Sequence, residues 1–291
     1  MFLMSRKYRT LGLMLLVCTA FGIAALVLQP TSKTSEGKIS ILNIGQGDAI
    51  LITAPSGAQM LIDGGKDSKV LSELNTVMPI GDHSIDVVVA THPDADHIGG
   101  LPLVIERYDI GLFITSQVMG DTQTYRDLMN GLYKHKIPSY FAHRGETIAL
   151  DPVTTFKILF PDRDVTSWET NTASVVGRLD IGPTSGGVSA LFNGDSPISI
   201  ERYLVQTDPK DLDVDILKLG HHGSKTSSSE EYLKATSPAL ALISAGVNNR
   251  YGHPAPEVMR RLQKLSIPSV STQDRGTITL RTDGVKWFMS K

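Results

Sequence analysis

The sequence predicts an α/β fold in which two sheets pack face to face with helices on their outer sides, a four-layer αββα sandwich. Short apolar runs of strand length recur, and most end in Gly, Asp, Asn or Pro, as strands running into turns do. Helix-length stretches lie between them, so that hairpins dominate the first part and strand–helix alternation the middle. With 291 residues, 41% of them apolar and 20% charged, the chain can bury a substantial core, and its composition excludes collagen-like, coiled-coil and mostly disordered classes.

The first element is a leader over residues 1–30. Leu11 to Leu28 reads LGLMLLVCTAFGIAALVL without a charge, preceded by Arg6, Lys7 and Arg9. As a helix it spans roughly 27 Å, about the thickness of a bilayer's hydrocarbon core. Positive charge on the short N-terminal side keeps that end in the cytoplasm and sends the rest outward. The expectation is a single-pass transmembrane anchor in the cell membrane with an extracytoplasmic body; the alternative is a cleaved signal peptide and a secreted protein. The single cysteine, Cys18, lies in this run, so the body has neither a disulfide framework nor a cysteine-based metal site.

A polar linker follows over residues 31–38, and one domain is expected over 39–291. Its strands are expected at Ile39–Ile44, Ala49–Thr53, Gln59–Ile62, Ile85–Ala90, Leu112–Thr115, Phe156–Phe160, Val188–Phe192, Asp215–Leu219, Leu240–Ser244 and Thr277–Arg281. Helices are expected at Ser68–Val77, Leu101–Arg107, Thr122–Lys134, Ser227–Ala235 and Pro256–Leu265; the last has prolines near its first turn, where a missing N–H costs little. Without the leader cations the chain carries 25 basic and 30 acidic residues, a net −5, which weighs against gripping duplex nucleic acid by the whole surface.

The chemistry is concentrated in THPDADHIGG at Thr91–Gly100, directly after the strand at Ile85–Ala90. His92, Asp94, Asp96 and His97 crowd two imidazoles and two carboxylates onto one strand-to-helix loop. Unpaired charges of that density are expensive in a core, and a divalent cation relieves their repulsion. Other polar groups also end apolar strands: Asp63 after MLI, Asp195 after LFNG, His221 and His222 after ILKLG, and His253 in YGHP. Strand ends at one sheet edge are where active-site loops gather. Gly45-Gln46-Gly47-Asp48 precedes a strand and not a helix, so it is no phosphate-cradling loop; it reads as a tight connection with Asp48 lining the site.

These residues resemble those of metallo-β-lactamase-fold hydrolases, whose metal motif H-x-H-x-D-H is matched by His92, Asp94, Asp96 and His97. More narrowly, NIGQGDAILI (43–52), LIDGG (61–65), THPDADHIGG (91–100), FNGD (192–195), LKLGHHGSKTSS (217–228) and NNRYGHP (248–254) resemble the hydrolase domain of ComEC-type DNA-uptake competence proteins. The resemblance spans about Ile39 to Leu280. It implies an αββα sandwich holding one or two divalent ions and cleaving a phosphodiester, with single-stranded DNA as the substrate; without the multi-helix channel of those proteins, the expectation is a separate transport pore as a partner or a role in nutrient scavenging. Asp94 stands where most of the superfamily has a second histidine, and Asn171 lies where many have a third. Carboxylate and amide harden that position, moving its preference from zinc toward manganese or magnesium.

The implied roles place His92, Asp94 and Asp195 on a first ion with Asn171 nearby. Asp96, which also counts among the catalytic residues, and His97 hold a second ion with one later histidine, and Asp195 bridges. His253 fits the superfamily's order for that histidine, whereas His221 and His222 follow an earlier strand and serve as ligand or acid; all three stay open. Asp63 orients a ligand histidine through its other ring nitrogen. Ser224, Lys225 and Thr226 with Arg250 are candidates for holding a substrate phosphate, and Lys218, Lys225 and Arg250 for a local basic patch. Hydrolysis of a small ester, lactone, β-lactam or phosphocholine group is the second enzyme reading, and a non-catalytic binding module on the same fold the third.

Overall fold

Strands covered on both faces cannot alternate apolar with polar residues, and two of the earliest here do not: Ile50–Thr53 (β2) and Gln59–Ile62 (β3) are buried at every position. With β1 (Gly37–Ile41) they form an antiparallel meander. The chain then crosses over through α1 (Lys69–Val77) to add β4 (Ser84–Ala90), β5 (Asp109–Thr115) and β6 (Ser139–Phe141) in parallel. The helices α2 (Ala95–Ile98), α3 (Leu101–Arg107) and α4 (Gln123–Lys134) lie between those strands. On the other side β1 pairs with β14 (Ile278–Thr282), which carries β15 (Trp287–Met289).

The second sheet starts with antiparallel β7 (Thr147–Asp151), β8 (Thr154–Phe160), β9 (Val176–Ile181) and β10 (Val188–Phe192). It continues in parallel with β11 (Ile216–Lys218), β12 (Leu240–Ile243) and β13 (Ser269–Ser271). Its helices are α5 (Ile198–Thr207), α6 (Pro209–Leu212), α7 (Glu230–Thr236), α8 (Pro256–Lys264) and α9 (Thr272–Arg275). The structure, a computed structural model, describes residues 36–183 and 186–290. The expected membrane segment and Cys18 lie outside the described residues. Among the described residues, no helix is long and apolar enough to cross a membrane.

Three separate cores show the layering. Ile50, Ile52, Met60 and Ile62 of the first sheet meet Phe156, Leu179, Ala190 and Phe192 of the second. On the outer side of the first sheet, Leu51, Leu61 and Val88 pack on Val70, Leu74, Leu101 and Leu128 from the helices. The outer side of the second carries Leu191, Leu217 and Ala241 against Ile200, Leu204, Leu233 and Val258. Residues of opposite parity on one strand thus feed different cores, which the period of two requires. The expected two-sheet α/β architecture is present.

The expected strands and helices lie within three residues of their observed bounds. Five strands were not expected: β6, β7, β9, β13 and β15. β9 reads VGRLDI, with a glycine and two charges, and becomes a strand because β8 and β10 pair with it on both sides. Gly177 has a packing reason, since a Cβ there would sit 2.1 Å from the Phe156 ring. α5 was also unexpected, because its ISIERYLVQT is rich in β-branched residues that favour strands.

Candidate metal centre

The strand ends converge. β4 runs into Thr91 and His92, and α2 then presents Asp96 and His97, with both histidines at 0% exposure. Asp63, just past β3, sits in the left-handed region at φ 59°. Its carboxylate accepts the Thr91 N–H and Thr91 hydroxyl, each at 2.8 Å, and lies 2.7 Å from His97 Nδ1. An ionised carboxylate only accepts, so His97 carries its proton on Nδ1. The Thr91 hydroxyl spends its proton on Asp63 and is left to accept from His92 Nδ1 at 3.0 Å. This hydrogen-bond order assigns both rings the same tautomer, with Nε2 bare. Asp63 therefore stands where its expected orienting role requires.

Both bare nitrogens face Asp195, which β10 delivers from the other sheet. His97 Nε2 lies 3.3 Å from Asp195 Oδ1, and His92 Nε2 lies 4.0 Å from Oδ2. His222, after β11, brings Nε2 to 3.5 Å from Asp96 Oδ2 and 3.6 Å from Asp195 Oδ2. Ligand atoms sharing an ion at bond lengths of about 2.0–2.2 Å stand roughly 3–3.6 Å apart. Buried nitrogens of His92, His97 and His222, and Oδ1 of Asp195, have no hydrogen-bond partner. Orphaned polar atoms of imidazole and carboxylate gathered this closely fit a divalent cation. Ligand atoms of His92, His97 and Asp195, and likewise of Asp96, His97 and His222, lie within 4.8 Å of one another.

The charge balance agrees. Burial alone would raise the Asp195 pKa, but His222 and His97 hold it well below the usual carboxylate range. Asp96 is likewise held at about 2, against burial, by His222 and His97. Burial lowers His222, and Asp195 and Asp48 overcome it to reach about 9. Burial, with the neighbouring His97 adding to it, keeps His92 down at about 4. Burial would lower His97 as well, but Asp195 and Asp63 raise it well above the ordinary histidine range.

The remaining expected residues separate. His253 belongs to none of the groups whose ligand atoms close on one point among the described residues; its ring packs 5.6 Å from that of His221 and 5.7 Å from that of Tyr251. The geometry thus brings in His222 where the superfamily's order had favoured His253, because His221 and His222 both adopt left-handed backbone, at φ 47° and 54°, and turn the second ring inward. His221 stays at the rim, 26% exposed, with Nε2 3.6 Å from Asp195 Oδ2. Asp94 lies 3.7 Å from His92 Nε2 but outside those groups, its carboxyl 39% exposed. Asn171 opens a 3₁₀ turn with its side-chain oxygen buried and unpartnered. Three residues on, the Ser174 hydroxyl stands 3.3 Å from His92 Nδ1.

Of the phosphate-holding candidates, Ser224 is 5% exposed and its hydroxyl is engaged with Thr226, so it is turned away from solvent. Lys225 and Arg250 are exposed, and Arg250 stacks over Tyr251 at 4.8 Å. Lys218 is not part of a surface patch: it is 1% exposed, with Nζ 2.6 Å from Asp48 Oδ2. It shares the inward face of β11 with Ile216, a parity legible in the sequence. Asp48 was expected to line the site; it does so through His222, whose Nδ1 is 3.2 Å from Asp48 Oδ1.

Comparison with known proteins adds to the geometry. The metallo-beta-lactamase superfamily model matches residues 42–247. The chain is 28% identical over 265 residues to ComE operon protein 3 of Bacillus subtilis, covering 85% of this chain and 33% of that protein. It is 28% identical over 258 residues to competence protein ComA of Neisseria gonorrhoeae, covering 87% and 33%. It therefore spans about a third of the length of these curated relatives. Among solved structures, the metallo-beta-lactamase fold protein YhfI from Bacillus subtilis superposes with a TM-score of 0.55 at 15% identity, over 85% of this chain and 99% of that one. Such a likeness speaks for the fold alone. Since the superfamily match runs from the end of β1 past the end of β12 and so takes in every strand end that carries the His–Asp cluster, this chain belongs to the metallo-beta-lactamase superfamily, alongside competence-related proteins.

Proposed function

We propose that the chain is a metal-dependent phosphodiesterase that cuts single-stranded DNA outside the cytoplasmic membrane in a competence-related role. The observation that carries the hydrolytic part is the convergence of unpartnered, buried His92, His97, His222 and Asp195 atoms from two sheets into adjoining groups that share His97, one with His92 and Asp195 and one with Asp96 and His222. The competence-related names of the relatives support the substrate. A divalent cation bound there supplies activation of water and stabilisation of the developing oxyanion.

The chain's own residues do the rest. Asp63 and Thr91 hold the two imidazoles in register. His221, partly open to solvent beside Asp195, is placed to hand a proton to the leaving oxygen. Rings of His221, His253 and Tyr251 run in contact from the centre to Arg250, giving one flank an aromatic and cationic lining. On a body of net −5, such a flank suits one strand through base stacking and phosphate pairing. Arg250→Ala with Lys225→Ala is expected to raise KM for a labelled oligonucleotide about tenfold and to flatten its salt dependence, with kcat little changed.

A second reading has its own observation. On the other flank, a groove of 580 Å³ is lined by Asp94, Asp96, Asp121 and Glu169 beside Met119 and Trp168. Carboxylates there repel a phosphate chain and favour a small uncharged ester or lactone. Purified protein with manganese, magnesium or zinc, assayed on single-stranded DNA, a generic phosphodiester and a lactone, decides between them. DNA cleavage supports the proposal, lactone cleavage alone supports the second reading, and cleavage of none supports a binding module. We further propose that residues 11–28 serve as a membrane anchor and that a separate pore is the transport partner. Protein sequencing that starts before Leu11 supports the anchor; a mature N-terminus beyond Pro30 means a secreted enzyme.

A further inference from the structure

Lys218 is among the largest fully buried side chains in the described protein, and none of the roles above employs it. Burying a lysine costs several kcal/mol unless it is paired, and an apolar residue of its length would fill the same space without that cost. Its Nζ donates to Asp48 Oδ2 at 2.6 Å and to the Leu219 carbonyl at 3.0 Å. Asp48 arrives from the opposite sheet, on the connection between β1 and β2. Its backbone is held on both sides: its N–H reaches the Asp96 carbonyl at 3.2 Å, and its carbonyl accepts the Gly65 N–H at 2.8 Å. The approach leaves no room beside Gly47, where a Cβ would lie 2.1 Å from the Asp96 carbonyl oxygen. The Ser244 hydroxyl clamps the Gly47 carbonyl at 2.7 Å.

The free oxygen of Asp48 stands 3.2 Å from His222 Nδ1, and both atoms are buried without a formed hydrogen bond. Asp63 stands beside His97 Nδ1 in a comparable place, closer at 2.7 Å and in a formed hydrogen bond. We propose that Asp48 and Lys218 are positioning residues of the metal centre: Asp48 accepts from a proton kept on His222 Nδ1, leaving Nε2 bare toward Asp96 and Asp195, while Lys218 fixes the carboxylate. The pair therefore couples the seating of one sheet on the other to the aim of a ligand. This rests on the metal-centre reading, in which His222 is a ligand.

The test uses full-length protein and zinc, which is diamagnetic. In the zinc-loaded wild type, long-range proton–nitrogen correlation of the histidine rings is expected to show His222 protonated on Nδ1, as His97 is; an Nε2-protonated His222 would overturn the proposal. The double variant Asp48→Asn, Lys218→Met removes both buried charges together, so no unpaired ion is left to unfold the chain. It is expected to bind zinc about 10–100-fold more weakly in competition with a chelating dye, with a changed His222 ring signal. Zinc affinity equal to wild type would overturn the proposal. Should the double variant not fold, the wild-type ring signal still decides. A wild type that holds neither zinc nor manganese overturns the metal-centre reading itself, and this proposal with it.

Discussion

Asp195→Ala is expected to reduce turnover of whichever substrate the protein cleaves by about 10³-fold or more, while the metal-free protein melts close to wild type. The side chain is the meeting point of the centre: its two oxygens lie 3.3 to 4.0 Å from ring nitrogens of His92, His97, His221 and His222. Without it an ion loses the ligand contributed by β10, and with it several kcal/mol of transition-state charge stabilisation, about tenfold in rate for every 1.4 kcal/mol. The fold is insulated because the Asp195 N–H, which donates to the Ser174 hydroxyl at 3.2 Å, remains in the variant. Thermal unfolding reads both halves. Wild type gains stability on addition of manganese or zinc, since an ion that binds only the folded state raises its melting point. The variant loses most of that gain. Full activity in Asp195→Ala would mean the site lies elsewhere.

The second large effect separates two histidines that look alike in the sequence. His222→Ala is expected to lose one equivalent of bound metal, by elemental analysis after dialysis, and roughly 10²–10³-fold in turnover, several kcal/mol of lost charge stabilisation. His253→Ala keeps the wild-type stoichiometry and costs less than about tenfold, the worth of ring contacts at the rim. The contrast follows from placement: His222 Nε2 is within 3.6 Å of Asp96 and Asp195 carboxylates, whereas His253 packs between Tyr251 and His221. Equal stoichiometry in both variants would show that neither ring binds metal. Loss in His253→Ala alone would restore the ligand order of the superfamily.

The same pair shows how far the sequence could be read. His92, Asp96 and His97 were legible because they share one short loop, and imidazoles and carboxylates packed that closely on a strand-to-helix turn repel one another unless an ion draws them together. Asp63 and Asp195 were legible as acids ending apolar strands. The placing of His222 beside the Asp96 and Asp195 carboxylates was not, because it depends on two consecutive left-handed residues, which no local pattern in GHHG announces. Lys218 was misread as surface charge, although Ile216 and Lys218 share the inward parity of β11; a lysine in that position makes sense only beside Asp48, 170 residues away in sequence. The fold followed the same division. Runs such as Val188–Phe192 carry their own strand signal, whereas β9 is a strand through its neighbours and the short edge strand β6 shows no buried residue to mark it.

Side chains from both sheets are proposed to close around at least one doubly charged ion. Anomalous diffraction from crystals grown with manganese, collected above and below its absorption edge, tests it most directly. The expected result is a peak within about 2.0–2.6 Å of Asp195, His97 and one or both of His92 and His222. A peak remote from Asp195, or none in protein that elemental analysis shows to be metal-free under the same conditions, would contradict it.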